Sequence, residues 1–271
     1  MMSEVIRVLT FVGLGLYDEK DITVKGLEAV KAADILFMEE YTSNLMGTNI
    51  KKLETFYRKK IELLTRKEIE EKNIIIKNAE KKNVAFLVPG DSLLATTHHA
   101  IYIEALENGI KTRIIHGVSI FVAAPALSGL QAYKFGRTVT IPYSDNDYLP
   151  FSPYEQIINN FNSGLHTLVL FDIKAAENRY MSVGEASENI LLMREKLIKS
   201  GYAVHKTPID DKTQVIGIAR AGSDDFTIKI DSLKNMVNAS MGPPLHCMVI
   251  PSKLHFIEEE ALEIIKKYMC K

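Results

Sequence analysis

Residues 84–99 read VAFLVPGDSLLATTHH, and the fold follows from how that stretch is parsed. Val84 to Val88 are five consecutive apolar residues. The run is too short for a helix and apolar on both faces, the pattern of a strand buried in a parallel sheet. Pro89 and Gly90 end it, because proline has no N–H for the ladder and glycine accepts turn geometry. Asp91 then falls at the carboxyl end of the strand, where open α/β sheets bind ligands. Ser92, Thr96 and Thr97 are candidate helix caps. Taken alone, the stretch reads equally as a ligand-binding strand end or as an ordinary strand–turn–helix joint.

The sequence on either side repeats the pattern. Val5 to Val12 predict a first strand, ending in Gly13-Leu14-Gly15-Leu16. Asp21-Ile22-Thr23 predict the cap of a helix running to about Ala33. Ile35 to Met38 predict a second strand, followed by Glu39, Glu40 and Tyr41, and Lys60 to Leu64 a third. Thr65-Arg66-Lys67-Glu68 has capping-box spacing and predicts a long helix to about Lys82. After the opening stretch, a helix ends near Gly109 and Lys111 to Ile115 predict another strand. Alternating strands and helices imply a parallel sheet with helices on both faces.

The pattern changes after Ser119. A helix to about Leu130 leads into a strand from Thr138 to Pro142, and Tyr143 to Pro153 read as a long loop. Ser152-Pro153-Tyr154-Glu155 combines a capping box with proline at the first helical position. Thr167 to Phe171 predict a strand, and Ser182 to Glu185 a second capping box whose helix stops at Gly201. Strands from Gln214 to Ala219 and Phe226 to Ile230 are so closely spaced that an antiparallel pair is expected. A short helix near Asp231 to Asn238, a strand from His246 to Ile250 and an amphipathic helix complete the chain. The fold class is therefore α/β in two domains. Residues 1–118 form a half with a mostly parallel sheet, and residues 119–271 a half with a mixed, more antiparallel sheet.

Composition narrows the class. With 271 residues, 46% hydrophobic and 25% charged, the chain suits a globular protein with a sizeable core. A net charge of −1 creates no global field toward nucleic acid or membrane. Cys247 and Cys270 make no disulfide framework and no Cys-x-x-Cys occurs, which fits a reducing, cytoplasmic compartment. No signal peptide is expected, since the first apolar run is strand length and contains Glu4 and Arg7. Residues 114–133 lack Asp, Glu, Lys and Arg, roughly a membrane-spanning length. They also hold His116, Gly117, Pro125 and Gly129, so they read as a strand end, a turn and a buried helix.

The glycine pair invites a dinucleotide-binding reading, with Glu39 and Glu40 at a suitable distance onward. Two features oppose it. Asp18 replaces the third glycine, which would permit close helix–strand packing. Asp18, Glu19 and Asp21 also put carboxylates where a pyrophosphate would sit. The seven histidines show no zinc spacing and no His-Glu-x-x-His, so no metal is expected. His98 and His99 read either as ligand contacts or as a partly exposed cap. No Gly-x-Ser-x-Gly elbow is present, which argues against a hydrolase of that kind.

Taken together, GLGLYDEKDITVKGLE, EEYTS, PGDSLLATTH, IHGVSI, LQAYKFG, GLHTLVLFDIKA, RYMSV, ARAGS and PPLH occur in the order found in the diphthine synthases. The chain resembles this family over nearly its whole length. The family lies within the tetrapyrrole methylase superfamily of S-adenosylmethionine-dependent methyltransferases. The resemblance implies a two-domain α/β methylase with its cofactor in the cleft between domains, acting as a homodimer. It also implies a substrate, a histidine of translation elongation factor 2 that carries a 3-amino-3-carboxypropyl group, whose amino group is methylated. S-adenosylhomocysteine is the implied product, with no metal and no direct nucleic-acid or membrane partner.

Carried over position by position, the implied cofactor contacts are Leu16 in GLGL, Asp91 and Leu94 in PGDSLL, Ser119 and Ile120 in HGVSI, Phe171 in LFDIKA, Ala221 in ARAGS and His246 in PPLH. Ser92 stands where proline commonly follows Gly-Asp, and Phe171 where leucine is usual. Asp91 can accept hydrogen bonds from an ammonium or hydroxyl. Leu16, Leu94, Ile120 and Phe171 can pack on an adenine and a thioether, although core packing would equally explain Leu94 and Phe171, and helix capping Ser119. No side chain is assigned as a general base, because water can take the proton. Tyr41, Tyr143, Asp145 and Tyr148 are candidates for holding a growing cationic group. The competing functions are methylation of a corrinoid precursor, a nicotinamide-dependent oxidoreductase using GLGL, and a non-catalytic factor that binds the cofactor.

Overall fold

The computed structural model describes residues 7–39, 43–144 and 149–270. Glu40, Tyr41, Asp145 and Tyr148 lie outside the described residues. The chain divides into two compact units, Met1–Ile120 with Lys174–Asn178, and Phe121–Ile173 with Arg179–Lys271.

The first unit runs β1 (Val8–Gly13), α1 (Val24–Ala32), β2 (Ile35–Glu39), α2 (Ile50–Tyr57), β3 (Ile61–Leu64), α3 (Arg66–Glu70), α4 (Ile74–Ala79), β4 (Val84–Val88), α5 (His99–Glu107) and β5 (Lys111–Ile115). All five strands are parallel, in the order β3-β2-β4-β1-β5. Strand β4 lies between β2 and β1 and every residue of it is buried, as its unbroken apolar run requires. Alternation sends Ala85 and Leu87 into one core cluster with Val30 of α1 and Leu53 of α2. Val84, Phe86 and Val88 enter the other cluster, with Ile76 of α4 and Ile101 of α5.

Caps decide several boundaries. Thr23 accepts the Gly26 N–H at the start of α1. Thr65 and Glu68 form a reciprocal capping box at α3. The single long helix expected to Lys82 is broken into α3 and α4. Asn73 takes left-handed geometry between them, and its amide donates to Glu104 Oε1 at 2.6 Å. On one straight helix Ile75 would point about 240° around the axis from Ile69. The break lets Ile69, Ile75 and Ile76 all reach the same core.

From Ile120 onward the elements are α6 (Ile120–Ser128), β6 (Val139–Ile141), α7 (Ser152–Asn162), β7 (Thr167–Phe171), β8 (Ile173–Lys174), β9 (Arg179–Tyr180), α8 (Val183–Lys199), β10 (Gln214–Ala219), β11 (Thr227–Ser232), α9 (Leu233–Met236), β12 (His246–Ile250) and α10 (Phe256–Tyr268). The second unit's main sheet has the order β11-β10-β12-β7-β6. Its pairs are antiparallel except β6 with β7. The close pair β10 and β11 is antiparallel, as their short connection predicts. Ser182 and Glu185 form the expected capping box of α8. The box expected at Ser152 does not form. The Glu155 N–H bonds instead to the Phe151 carbonyl at 3.1 Å, so Ser152 is already helical.

A buried polar knot ties α10 to this unit. The Glu258 carboxylate is fully buried and accepts from the backbone N–H groups of Gln131 (2.9 Å) and His255 (2.8 Å) and from His166 Nε2 (3.0 Å). It also accepts from the Lys134 ammonium. Burial alone would raise its pKa, but the Lys134 ammonium and then the converging N–H donors outweigh it and bring the carboxyl down to about 2. His166 Nδ1 accepts from the Ser252 N–H at 2.9 Å, which fixes the neutral ring with its proton on Nε2. Among the described residues, no helix is long and apolar enough to cross a membrane.

Candidate functional site

Three loops follow neighbouring strands at the carboxyl edge of the parallel sheet, after β1, β4 and β5, and glycine allows them to meet. A Cβ on Gly13 would lie 2.5 Å from the Gly117 nitrogen, and one on Gly117 would lie 2.3 Å from the Gly90 carbonyl oxygen. No other residue fits such approaches without moving backbone. Gly15 and Gly90 bridge the first two loops through the Gly90 N–H to the Gly15 carbonyl (2.7 Å) and the Gly15 N–H to the Gly90 carbonyl (3.2 Å). The glycines therefore bring backbone against backbone.

The acidic residues after GLGL also have a local task. Asp21 Oδ2 accepts from the backbone N–H groups of Tyr17 (2.6 Å) and Asp18 (3.2 Å), and Asp18 Oδ1 from that of Lys20 (2.8 Å). They fold a loop that delays the next helix to Val24. That helix N-terminus does not follow directly on the glycines, as a pyrophosphate-binding strand–helix turn requires.

Asp91 lies on this edge and is only 4% exposed. Its Oδ2 accepts from His116 Nδ1 at 2.7 Å and its Oδ1 from the Leu93 N–H at 3.2 Å. Each oxygen keeps a lone pair, so the carboxylate retains capacity for an ammonium or hydroxyl donor. His116 itself is 78% exposed. Leu16 and Ile120 are half-buried and Ser119 is buried. Leu94 is 47% exposed, so core packing does not account for it.

The stretch after Asp91 is irregular to His98, with Ala95 in left-handed geometry, and α5 begins only at His99. Ser92, Thr96 and Thr97 are therefore not its caps, and no side chain caps this helix. The reason is the loop's own bonding, since Thr96 Oγ1 accepts the His98 N–H (3.3 Å) inside the turn. His98 is fully buried, unlike the partly exposed cap that was one of its two readings. Its Nδ1 bonds the Ser92 carbonyl at 3.3 Å, and its Nε2 lies 3.9 Å from the buried Glu39. Burial lowers its pKa to about 4, so the ring is neutral at physiological pH.

The remaining positions meet at one end of the second unit's sheet. The antiparallel register pairs Ala219 with His246, which puts the end of β10, and Ala221 just beyond it, beside the start of β12. Met248 pairs with Val169, which brings β7, whose last residue is Phe171, alongside β12. Phe171 is packed into the core and Ala221 is half-buried. Both nitrogens of His246 are engaged within the chain. Nδ1 accepts from the Val183 N–H (3.3 Å), and Nε2 donates to the carbonyls of Pro243 (2.9 Å) and Gly242 (3.2 Å). Burial holds its pKa below the ordinary imidazole value. What His246 offers a ligand is its main chain and ring face. Tyr143, one candidate for a cationic group, is buried and already stacked by the Arg179 guanidinium, 3.8 Å from the ring centre.

Sequence reasoning passed over His116 and Arg220, although both lie inside quoted motifs, IHGVSI and ARAGS. The signal available was their position, His116 three residues before Ser119 and Arg220 next to Ala221. Among the described residues, no cluster of three or more His, Cys, Asp or Glu side chains is arranged to hold a metal ion.

A parallel α/β unit with glycine-packed strand ends, joined in the chain to a mixed-sheet unit, defines a class. The family described as tetrapyrrole (corrin/porphyrin) methylases matches residues 8–237, and the chain belongs to it. The curated diphthine synthase of Methanosphaera stadtmanae is 48% identical over 94% of both chains, and that of Methanothermobacter thermautotrophicus 45% identical over the same shares. A crystal structure of diphthine synthase superposes with a TM-score of 0.85 at 40% identity, covering 96% of each chain. Within the methylases, its place is among the diphthine synthases.

Proposed function

We propose that this chain transfers methyl groups from S-adenosylmethionine to the amino group of the 3-amino-3-carboxypropyl-histidine of translation elongation factor 2, a step in diphthamide biosynthesis. The observation that carries the reading is the near-full-length similarity to diphthine synthases. The donor and acceptor set fits the cofactor. Asp91 keeps two lone pairs for an ammonium or hydroxyl, and Ser119 and Ala221 stand on loops whose backbone groups can serve other polar atoms. Leu16, Leu94 and Ile120 supply apolar surface in the first unit, and Phe171 is packed in the core of the second.

When bound, S-adenosylmethionine supplies an electrophilic methyl group for in-line displacement by an amine. The amine must be neutral to attack, and its proton passes to water. The chain's contribution is then proximity and alignment, worth several kcal/mol as effective molarity. Rigid strand ends suit that task, because their backbone contacts leave little room for movement.

The protein acts in the cytoplasm as a homodimer. Ile257, Ile264 and Tyr268 form one exposed stripe on α10, with Glu259, Glu260 and Glu263 in its first part and Lys266 and Lys267 near its end. An antiparallel copy of the helix would match both the stripe and the charges. Sedimentation equilibrium reads the state.

The deciding assay is mass spectrometry of elongation factor 2 bearing the aminocarboxypropyl group, incubated with the protein and methyl donor. Mass increments in methyl units on that histidine are expected, and their number counts the transfers. Methylation of a corrinoid precursor with none of the protein would favour the rival methylase reading. Tight NADH binding with no response to S-adenosylhomocysteine would sink both, and cofactor binding without any transfer would leave a non-catalytic factor.

A further inference from the structure

Arg220 sits between the end of β10 and Ala221, with its backbone in left-handed geometry at φ 54°. That region is uncommon for a residue with a side chain. Its backbone N–H donates to the Leu245 carbonyl at 2.8 Å. Its side chain turns inward and is 8% exposed. All five N–H groups of the guanidinium find partners in two segments. Nε donates to Asp225 Oδ2 (3.2 Å), and Nη2 to the Asp225 carbonyl (2.7 Å) and Thr227 Oγ1 (2.7 Å). Nη1 donates to the carbonyls of Met241 (2.7 Å) and Pro243 (3.3 Å).

Ala221 follows Arg220 directly, in the turn that leads to the first of these segments, Asp225 to Thr227. The other is the turn before His246, and the two residues share a partner, since His246 Nε2 also donates to the Pro243 carbonyl. Gly242 completes the seat, because a Cβ there would lie 2.7 Å from Arg220 Nη1. A half-satisfied guanidinium would be costly to bury, so this geometry holds only while both segments keep their places. The planar fork reaches five acceptors spread over two chain segments, which a lysine's single ammonium cannot do.

We propose that Arg220 is a positioning residue for methyl transfer, fixing the main chain at Ala221 and His246 together so that both meet the cofactor in register. This rests on the functional reading above. A purely structural role would cost stability and leave cofactor affinity alone, and the split between the two is measurable.

The experiment compares Arg220→Gln and Arg220→Lys with the unaltered protein by titration with S-adenosylhomocysteine, thermal unfolding and steady-state methyl transfer. Both variants are expected to raise the Kd for S-adenosylhomocysteine and the KM for S-adenosylmethionine at least tenfold, with kcat at saturating donor changed less than threefold. Lysine should not rescue. If the variants do not fold, Thr227→Val takes their place, removing one acceptor at nearly constant volume, and is expected to weaken binding about threefold. Lower melting temperature with affinity within twofold of the unaltered protein overturns the proposal and leaves Arg220 a structural clamp. An unaltered protein that does not bind S-adenosylhomocysteine would refute the functional reading itself, and this inference with it.

Discussion

Replacing Asp91 with alanine should separate binding from stability. The structure gives the carboxylate two partners in the chain, the Leu93 N–H at 3.2 Å and His116 Nδ1 at 2.7 Å. His116 is largely solvent-exposed, so its hydrogen bond to the carboxylate is worth about 0–1 kcal/mol. The hydrogen bond from the Leu93 amide to the charged carboxylate adds about 1.5–3 kcal/mol. Folding should therefore lose about 1.5–4 kcal/mol, several degrees of melting temperature for a chain of this size. The carboxylate's remaining lone pairs serve the ligand, and a hydrogen bond to a charged group is worth about 1.5–3 kcal/mol. That corresponds to a roughly 10- to 150-fold weaker Kd for S-adenosylhomocysteine. Asp91→Asn sharpens the test, since it keeps an acceptor for the Leu93 amide and should recover most of the stability but little of the affinity. Calorimetric titration and thermal unfolding of the three proteins supply both readings. Unchanged affinity in Asp91→Ala would refute the reasoning and return the loop to a plain strand–helix joint.

Two further outcomes concern the framework. Glu258, whose pKa falls from 4.5 to about 2 on folding, contributes about 3 kcal/mol that is fully present above pH 4.5 and is lost as pH falls toward 2. The stability gap between the unaltered protein and Glu258→Gln, read by urea unfolding, should therefore close across that window, and a gap independent of pH would contradict the assignment. Gly117→Ala should cost about 1–3 kcal/mol or more, because its Cβ would meet backbone atoms of Gly90 and Gly13 that cannot swing aside. A Gly117→Ala protein with the melting temperature and cofactor affinity of the parent would show that the loops do not need that contact.

Much of the architecture was legible because each strand is a short apolar run with clear punctuation. Val84–Val88, Thr167–Phe171, Gln214–Ala219 and His246–Ile250 have the boundaries that their composition predicts. Thr23, Thr65 and Ser182 cap the helices that their spacing announces. These signals are local, set by a strand's period and by reach from one side chain to the next few N–H groups. Where a boundary depended on a distant partner, local reading failed. The helix expected to Lys82 breaks at Asn73, whose amide answers to Glu104, 31 residues away.

The site divides along the same line. The sequence by itself determined which residue types stand at the strand ends: the glycines, Asp91, and the motifs that mark the family. Glycine at such positions permits close backbone approach. Only the tertiary structure decided what approaches them, the backbones of two neighbouring strand ends in the order β4-β1-β5. It likewise decided that His98 and Glu258 are buried, that His246 spends both ring nitrogens on its own chain, and that Arg220 spans two segments. The physical reason is range. Propensity and capping act over a few residues, whereas strand order, burial and convergent hydrogen bonds join groups far apart in the chain, and a single sequence carries no local mark of those pairings.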